Sequence, residues 1–166
     1  MEQIDIKKHS KYSLEFIFSE SDKHFTDVLN SVNQNSSRSF LLFGIYLSLI
    51  TFSFSKLLTQ NFEYLILLIG GIISSIILIK NLFPINKEIK GSSPSSLISP
   101  YFDNFKKEEL EMEYLATQIH SYNDSIELNK KLIKKMVNRY SNSVKNLLIF
   151  VLLFSIFFTF ITIKSN

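Results

Sequence analysis

The sequence predicts an all-α integral membrane protein with three transmembrane helices, an N-terminal amphipathic helix and a long cytoplasmic helix continuous with the third span. Two observations lead to this fold class. The 166 residues contain three long apolar blocks with almost no charge, and neither proline nor glycine occurs after Pro100. The overall content of 46% hydrophobic and 20% charged residues is close to the average of soluble proteins. The prediction therefore depends on how the apolar residues are distributed.

The three apolar blocks comprise residues 39–58, 64–83 and 147–163. A helix needs about 17 to 25 residues to cross a hydrocarbon layer of about 30 Å, and all three blocks fit this range. The first two blocks carry one lysine each, near an end, and the third carries no charge. A soluble protein with three buried helices is disfavoured, because too little polar sequence is left to cover them. Because there is no cysteine, disulfides and cysteine-ligated metals are excluded.

The N-terminal segment, residues 1–38, is polar but contains one apolar helical face between residues 13 and 33. An amphipathic helix here either lies on the bilayer surface or packs on the long helix. Packing is favoured, because the polar face is mixed and lacks the lysine content of surface-binding helices. The face consists of Leu14, Ile17, Phe18, Phe25, Val28, Leu29 and Val32.

Residues 84–102 form a linker rich in proline and serine that follows the two-span hairpin of residues 39–83. Residues 103–146 then form a coiled-coil-like helix, which runs on into the third span and a short tail, residues 147–166. The apolar positions of this helix alternate by four and three, which is a heptad pattern. The seam packs either on the N-terminal segment of the same chain or on another copy in a homo-oligomer, and Asn129 can fix the register in either case. Its predicted members are Ile119, Tyr122, Ile126, Asn129, Ile133, Met136 and Tyr140.

The basic residues predict the orientation in the membrane. Of the 18 lysines and arginines, all but Lys56 and Lys164 lie in residues 1–38 or 80–145. Because loops rich in lysine and arginine stay in the cytoplasm, the N-terminus and residues 84–146 are expected inside and the C-terminus outside.

Small residues spaced by four occur in the first two spans and allow close contact between helices in lipid. The contact is either between the spans of one chain or between several chains, whose hydroxyl-bearing faces (Ser48, Thr51, Ser55, Ser74 and Ser75) would line a leak pathway. The pairs are Gly44 with Ser48, Gly70 with Ser74, and Gly71 with Ser75.

The densest charge feature is a basic cluster before the third span. Its first interpretation is contact with anionic lipid head groups. The second is a phosphate site for a nucleotide second messenger, with Tyr122 or Tyr140 stacking on the base. The cluster consists of Lys130, Lys131, Lys134, Lys135 and Arg139.

No motif for catalysis is present. His9, His24 and His120 are far apart and form no metal-binding pattern, and no glycine-rich phosphate loop occurs. We therefore expect a protein that is not an enzyme, with no catalytic residue, metal or cofactor, and with no binding of duplex nucleic acid.

The stretch LATQIHSYNDSIELNKKLIKKMVNRYSNSVKNLLIFVLL, from Leu115 to Leu153, together with the order of the elements, resembles small bacterial membrane effectors of anti-phage systems. The similarity is to the Pycsar transmembrane effectors and the related SLATT-type proteins. The resemblance implies a protein of the bacterial inner membrane that stays inactive until a nucleotide signal or a cytoplasmic protein partner triggers its assembly. The membrane is then impaired and the infected cell stops growing. The alternative is a non-enzymatic scaffold or accessory subunit that holds a cytoplasmic partner through the long helix.

Overall fold

The computed structural model describes residues 8–84, 87–88 and 99–165, with the side chains of residues 108, 164 and 165 left out of the description. Within these residues the chain is all-helical, which confirms the predicted fold class at this level. Three helices are long and apolar enough to cross a membrane. They are α1 (Lys11–Leu58), α2 (Leu65–Leu82) and α3 (Lys107–Ser165), with short 3-10 turns at Phe62–Tyr64 and Pro100–Asn104.

Helix α1 has a capped start and a tight end. The Ser10 Oγ atom accepts a hydrogen bond from the Ser13 backbone N–H at 3.2 Å, as an N-cap residue does. At the other end, Gln60 has a φ of 63°, and the Asn61 N–H donates to the Lys56 carbonyl at 3.2 Å. This is a Schellman motif, which reverses the chain toward α2. The helix runs unbroken through residue 38, where the sequence suggested a domain boundary.

Helix α3 begins at Lys107, four residues after the predicted start at residue 103. Ser99 is the N-cap of the 3-10 turn that precedes α3, and the Tyr101 N–H donates to Ser99 Oγ at 3.3 Å. The buried Phe102 packs on Tyr114 with ring centroids 4.3 Å apart and ring planes tilted by 30°, so the turn contacts α3. From its start the helix is continuous to Ser165, as the lack of proline and glycine predicts. Most of the predicted linker lies outside the described residues.

The chain divides into two compact units. Unit 1 contains residues 1–32 and 86–132, and its helix segments from α1 and α3 run parallel. An ion pair joins Lys11 to Glu111, and further along both helices Tyr122 stacks on Phe18 and Phe25. Apart from Asn129, the buried residues of this unit are apolar, as in a soluble protein. They include Leu14, Phe25, Val28, Val32, Phe102, Ala116, Ile119 and Ile126.

Unit 2 contains residues 33–85 and 133–166 and is a bundle of three helix segments. Asn81 of α2 bonds to Ser39 of α1 and to the Met136 carbonyl of α3. Seven residues further along both α1 and α3, Tyr46 meets Ser143. Here α1 and α3 are therefore parallel, and α2 runs against them.

Candidate functional site

Unit 2 has a polar interior, which we call the polar core. Its members come from all three helices, and each is buried to more than nine-tenths or at that limit. Leu67, Leu78, Leu82 and Met136 are the apolar residues buried beside them. The polar core consists of Ser39, Tyr46 and Ser53 of α1, Ser74, Ser75 and Asn81 of α2, and Ser143 of α3.

One layer of the polar core is built around Asn81. The Asn81 side-chain amide donates to the Met136 carbonyl at 2.8 Å and approaches Ser39 Oγ at 3.4 Å. Beside it, the Ser36 hydroxyl donates to the Leu82 carbonyl at 3.1 Å. Hydrogen bonds between helices in an apolar surrounding contribute about 0.6 to 2 kcal/mol each. Asn81 thus fixes the depth of α2 against both other helices.

A second layer is centred on Ser143. Its hydroxyl donates to the Ser74 carbonyl at 2.9 Å and lies 2.9 Å from the Tyr46 hydroxyl. Because a serine has one hydroxyl proton, the Tyr46 hydroxyl supplies the proton of the second bond. The Asn146 amide adds a bond to Ser74 Oγ at 3.0 Å. This layer joins all three helices through side chains without a formal charge.

Most of the outer surface of unit 2 is apolar, although Arg38, Lys80, Lys134, Lys135 and Lys145 are exposed charged residues of this unit. Among the described residues, the exposed large apolar side chains lie in unit 2 with four exceptions: Tyr12, Phe16, Tyr101 and Leu128. Exposed hydroxyl groups on this surface bond to their own helix, as Ser48 does to the Gly44 carbonyl at 3.0 Å. Polar groups inside and apolar groups outside are the reverse of the arrangement in unit 1, and suit a lipid surrounding.

The structure separates the small residues predicted to pack the spans. A Cβ atom on Gly70 would overlap Phe150 of α3, and one on Gly71 would lie 2.9 Å from Ile50 Cγ1 of α1. Ser74 and Ser75 belong to the polar core. A Cβ atom on Gly44 would have no neighbour within 4 Å, and Ser48 is exposed. The α2 residues therefore make contacts within the chain, and the pair on α1 does not.

The predicted heptad seam of α3 is buried within the chain. In unit 1, Ile119 and Ile126 are buried and Tyr122 lies against two phenylalanines of α1. In unit 2, Met136 is fully buried, while Ile133 and Tyr140 are half-buried. The part in unit 1 corresponds to packing on the N-terminal segment of the same chain, whereas the Met136 carbonyl in unit 2 accepts from Asn81 of α2. Use of the seam between copies stays a prediction.

Asn129, the polar member of the seam, binds the segment that leads from α2 to α3. Its Oδ1 atom accepts from the Glu88 N–H at 3.1 Å, and its Nδ2 group donates to the Glu88 carbonyl at 3.2 Å. The side-chain amide therefore pairs with a backbone amide, which satisfies both of its polar atoms although the residue is fully buried. No sequence pattern indicated this partner.

The basic cluster lies on the surface of α3. Lys130, Lys131, Lys134 and Lys135 are exposed and Arg139 is half-buried. Lys130 forms an ion pair with Glu127 at 3.3 Å, and an exposed pair of this kind contributes little to stability. Neither Tyr122 nor Tyr140 is exposed. Tyr122 is already stacked on two phenylalanine rings, so it is not free to stack on a base.

Comparisons with protein-family models, with curated proteins and with solved structures found no match to this chain. No group of three or more histidines and carboxylates suited to a metal ion occurs in the described part of the chain. The sequence analysis missed the polar core, apart from Ser74 and Ser75 and apart from Ser143, which follows the seam residue Met136 by seven positions. A signal for it exists: Ser39, Tyr46 and Ser53 follow the apolar Phe25 and Val32 at intervals of seven residues.

Proposed function

We propose that this chain is an inner-membrane effector of a bacterial anti-phage system. In this proposal the apolar helix segments of unit 2 lie in the bilayer, and unit 1 lies in the cytoplasm together with the basic cluster, with the C-terminus outside. The observation that carries it is the contrast between the two units: unit 2 buries a cluster of polar side chains beneath a largely apolar surface, whereas unit 1 buries apolar side chains and Asn129 beneath a charged surface. A protein of this construction holds a water-exposed part for receiving a signal and a lipid-exposed part for acting on the membrane.

The signal we propose is a nucleotide messenger or a protein partner that reaches unit 1 and the exposed lysines of the basic cluster. Copies of the chain then assemble and the membrane loses its barrier. A ligand can cause this change only if it binds the assembled form more tightly than the resting form. The exposed small residues Gly44 and Ser48 support the assembly step, because small residues allow helices to approach closely in lipid.

The test is induced expression in bacteria with a potential-sensitive dye, during phage infection and without it. We expect depolarisation and growth arrest on infection with the wild type. Reversal of Lys130, Lys131, Lys134 and Lys135 to glutamate removes this response while the protein stays in the membrane fraction. Reversal of the equally exposed Lys106 and Lys107 is the control and leaves the response in place. A wild type that never depolarises the cell contradicts the proposal.

A second candidate is a scaffold that holds a cytoplasmic partner. Tyr12 and Phe16 favour it, because they lie four residues apart on α1 with 80% and 62% of their surface exposed. Two such side chains on one helix face are typical of a protein-binding surface. A scaffold leaves the membrane potential unchanged at any expression level and purifies with a stoichiometric partner. The double substitution Tyr12→Ser and Phe16→Ser should abolish this copurification.

A further inference from the structure

We infer that the polar core of unit 2 is the route by which water and small ions cross the membrane when the protein is active, inside one subunit and not between copies. The inference rests on the proposed function, because it names the pathway of the proposed membrane damage. The sequence suggested a different leak pathway, lined by five hydroxyl residues between copies of the chain. The structure places three of them, Ser48, Thr51 and Ser55, on the outer surface.

The polar core is long enough to serve as most of such a route. Ser53 follows Ser39 by 14 residues of α1, which is about 21 Å at 1.5 Å per residue. The hydrocarbon layer is about 30 Å thick. Next to Ser53, Phe52 packs against Tyr64, whose ring also contacts Phe154 at 5.1 Å. These aromatic rings lie at the end where α1 turns into α2.

The packing of the polar core leaves three polar atoms unsatisfied. In the described part of the chain, Ser53 Oγ, Ser75 Oγ and Asn81 Oδ1 are buried and have no hydrogen-bond partner. Ser48 and Thr51 on the outer surface, by contrast, bond to carbonyl groups of their own helix. A buried polar atom without a partner destabilises the packed state. Water that enters between the helices would form hydrogen bonds with all three atoms. It would therefore stabilise an open form in which the polar core is hydrated.

The contacts of the closed form show where the helices must separate. Gly70 lies directly against Phe150, and Gly71 lies against Ile50, so neither interface has room for a methyl group. Both glycines are on α2, the helix that supplies Ser74, Ser75 and Asn81. The polar core carries hydroxyl and amide groups and no ionisable acid or base of Asp, Glu, Lys, Arg or His type among its described members. We therefore expect an open route with little preference between cations and anions.

The absence of cysteine from the chain allows a direct test of which surface becomes wet. Single cysteines replace Ser53 or Ser75 in the polar core, and Ser48 or Thr51 on the outer surface. Each full-length variant is reconstituted into vesicles at a protein density at which the wild type releases K⁺. A charged methanethiosulfonate reagent reacts with the thiolate, which forms only in water. We expect Ser53→Cys and Ser75→Cys to react at least tenfold faster than the outer controls Ser48→Cys and Thr51→Cys.

The alternatives give different results. If K⁺ is released and the outer cysteines react faster, the route lies between copies and the inference is wrong, while the proposed function stands. If the wild type releases no K⁺ even at densities that drive assembly without the signal, the proposed function fails and the inference fails with it.

A second measurement separates a conducting role from a structural one. Ser53→Ala and Ser75→Ala remove an unsatisfied hydroxyl each, so we expect them to raise the thermal midpoint in detergent and to slow K⁺ release at least tenfold. Ser48→Ala and Ser55→Ala are the matched outer controls and leave release unchanged. Core variants that lower the thermal midpoint, or that leave release at the wild-type rate, would overturn the inference.

Discussion

At the scale of single residues, identical side chains have different surroundings in this chain. Ser48 and Ser74 each follow a glycine by four residues, yet Ser48 is exposed and Ser74 is fully buried. The sequence predicts that small residues make close contacts, but spacing by four does not tell which face of a helix points inward. In unit 2 the hydrophobic pattern does not identify the inner face, because apolar residues also cover the outside. Only the positions of the neighbouring helices decide it.

The glycines provide a test at this scale. Gly70→Ala places a methyl group on the backbone-proximal part of Phe150, so we expect a loss of about 1 to 3 kcal/mol in the free energy of unfolding, as for overpacking. Gly44→Ala is the matched control, because the Cβ position there is open. It should be neutral or raise stability by up to about 1 kcal/mol through helix propensity. Unfolding in mixed micelles, followed by circular dichroism, measures both; equal losses would contradict the packing of α2.

At the scale of elements, the sequence predicted the helices better than their boundaries. The lack of proline and glycine after Pro100 correctly predicted one unbroken helix to the end of the described residues. The boundary at residue 38 was placed where polar residues give way to apolar ones. A helix does not end there, since Asn33 to Arg38 contains no residue that breaks it, and the change in composition marks only a change of surroundings. The Asn129–Glu88 pairing was beyond prediction, because it joins a helix to irregular backbone.

The first turns of α1 and α3 are joined by the ion pair of Lys11 with Glu111, which leads to a prediction for pH. The hydrogen bond and charge of Lys11 lower the pKa of Glu111 below its ordinary 4.5, and Glu111 raises the pKa of Lys11 above 10.5. The contribution of Glu111 is present above the ordinary carboxyl pKa and is lost as pH falls through the lowered value. That of Lys11 is present below 10.5 and is lost as pH rises through the raised value.

The measurement is an NMR titration of the Glu111 carboxyl group. In Lys11→Gln we expect its pKa to rise toward the ordinary value, because both the hydrogen bond and the charge are removed. Lys23→Gln removes a lysine that pairs with Glu20 instead and serves as the control. An unchanged Glu111 pKa in Lys11→Gln would show that the two helix starts are not in contact in solution.

At the scale of the whole molecule, the two units have cores of opposite polarity, and this explains the misleading average composition. The overall hydrophobic content of 46% is close to that of a soluble protein. It is a sum of the apolar residues in the core of unit 1 and those on the surface of unit 2. The sequence predicted three apolar helices from the uncharged blocks. It did not predict the polar core, because serine and asparagine at single positions do not interrupt an apolar block.

The proposed topology predicts which positions a membrane-impermeant maleimide labels in intact cells. Thr59→Cys lies in the exposed turn after α1 and should be labelled from outside. Glu109→Cys is equally exposed at the start of α3 and should be labelled only after the cells are opened. The distribution of lysine and arginine is the physical reason. The reverse result would place the basic segments outside and remove the basis for a cytoplasmic signal.

The spacing of buried residues on α1 has a consequence for how the length of this protein can vary. Phe25, Val32, Ser39, Tyr46 and Ser53 are each fully buried and follow one another at intervals of seven. Insertion or deletion of seven residues turns the rest of the helix by only about 20°, whereas a change of two residues turns it by about 200° and brings exposed phenylalanines inward. Natural variants of α1 should therefore differ in length by whole heptads, and a shift of two residues should prevent folding.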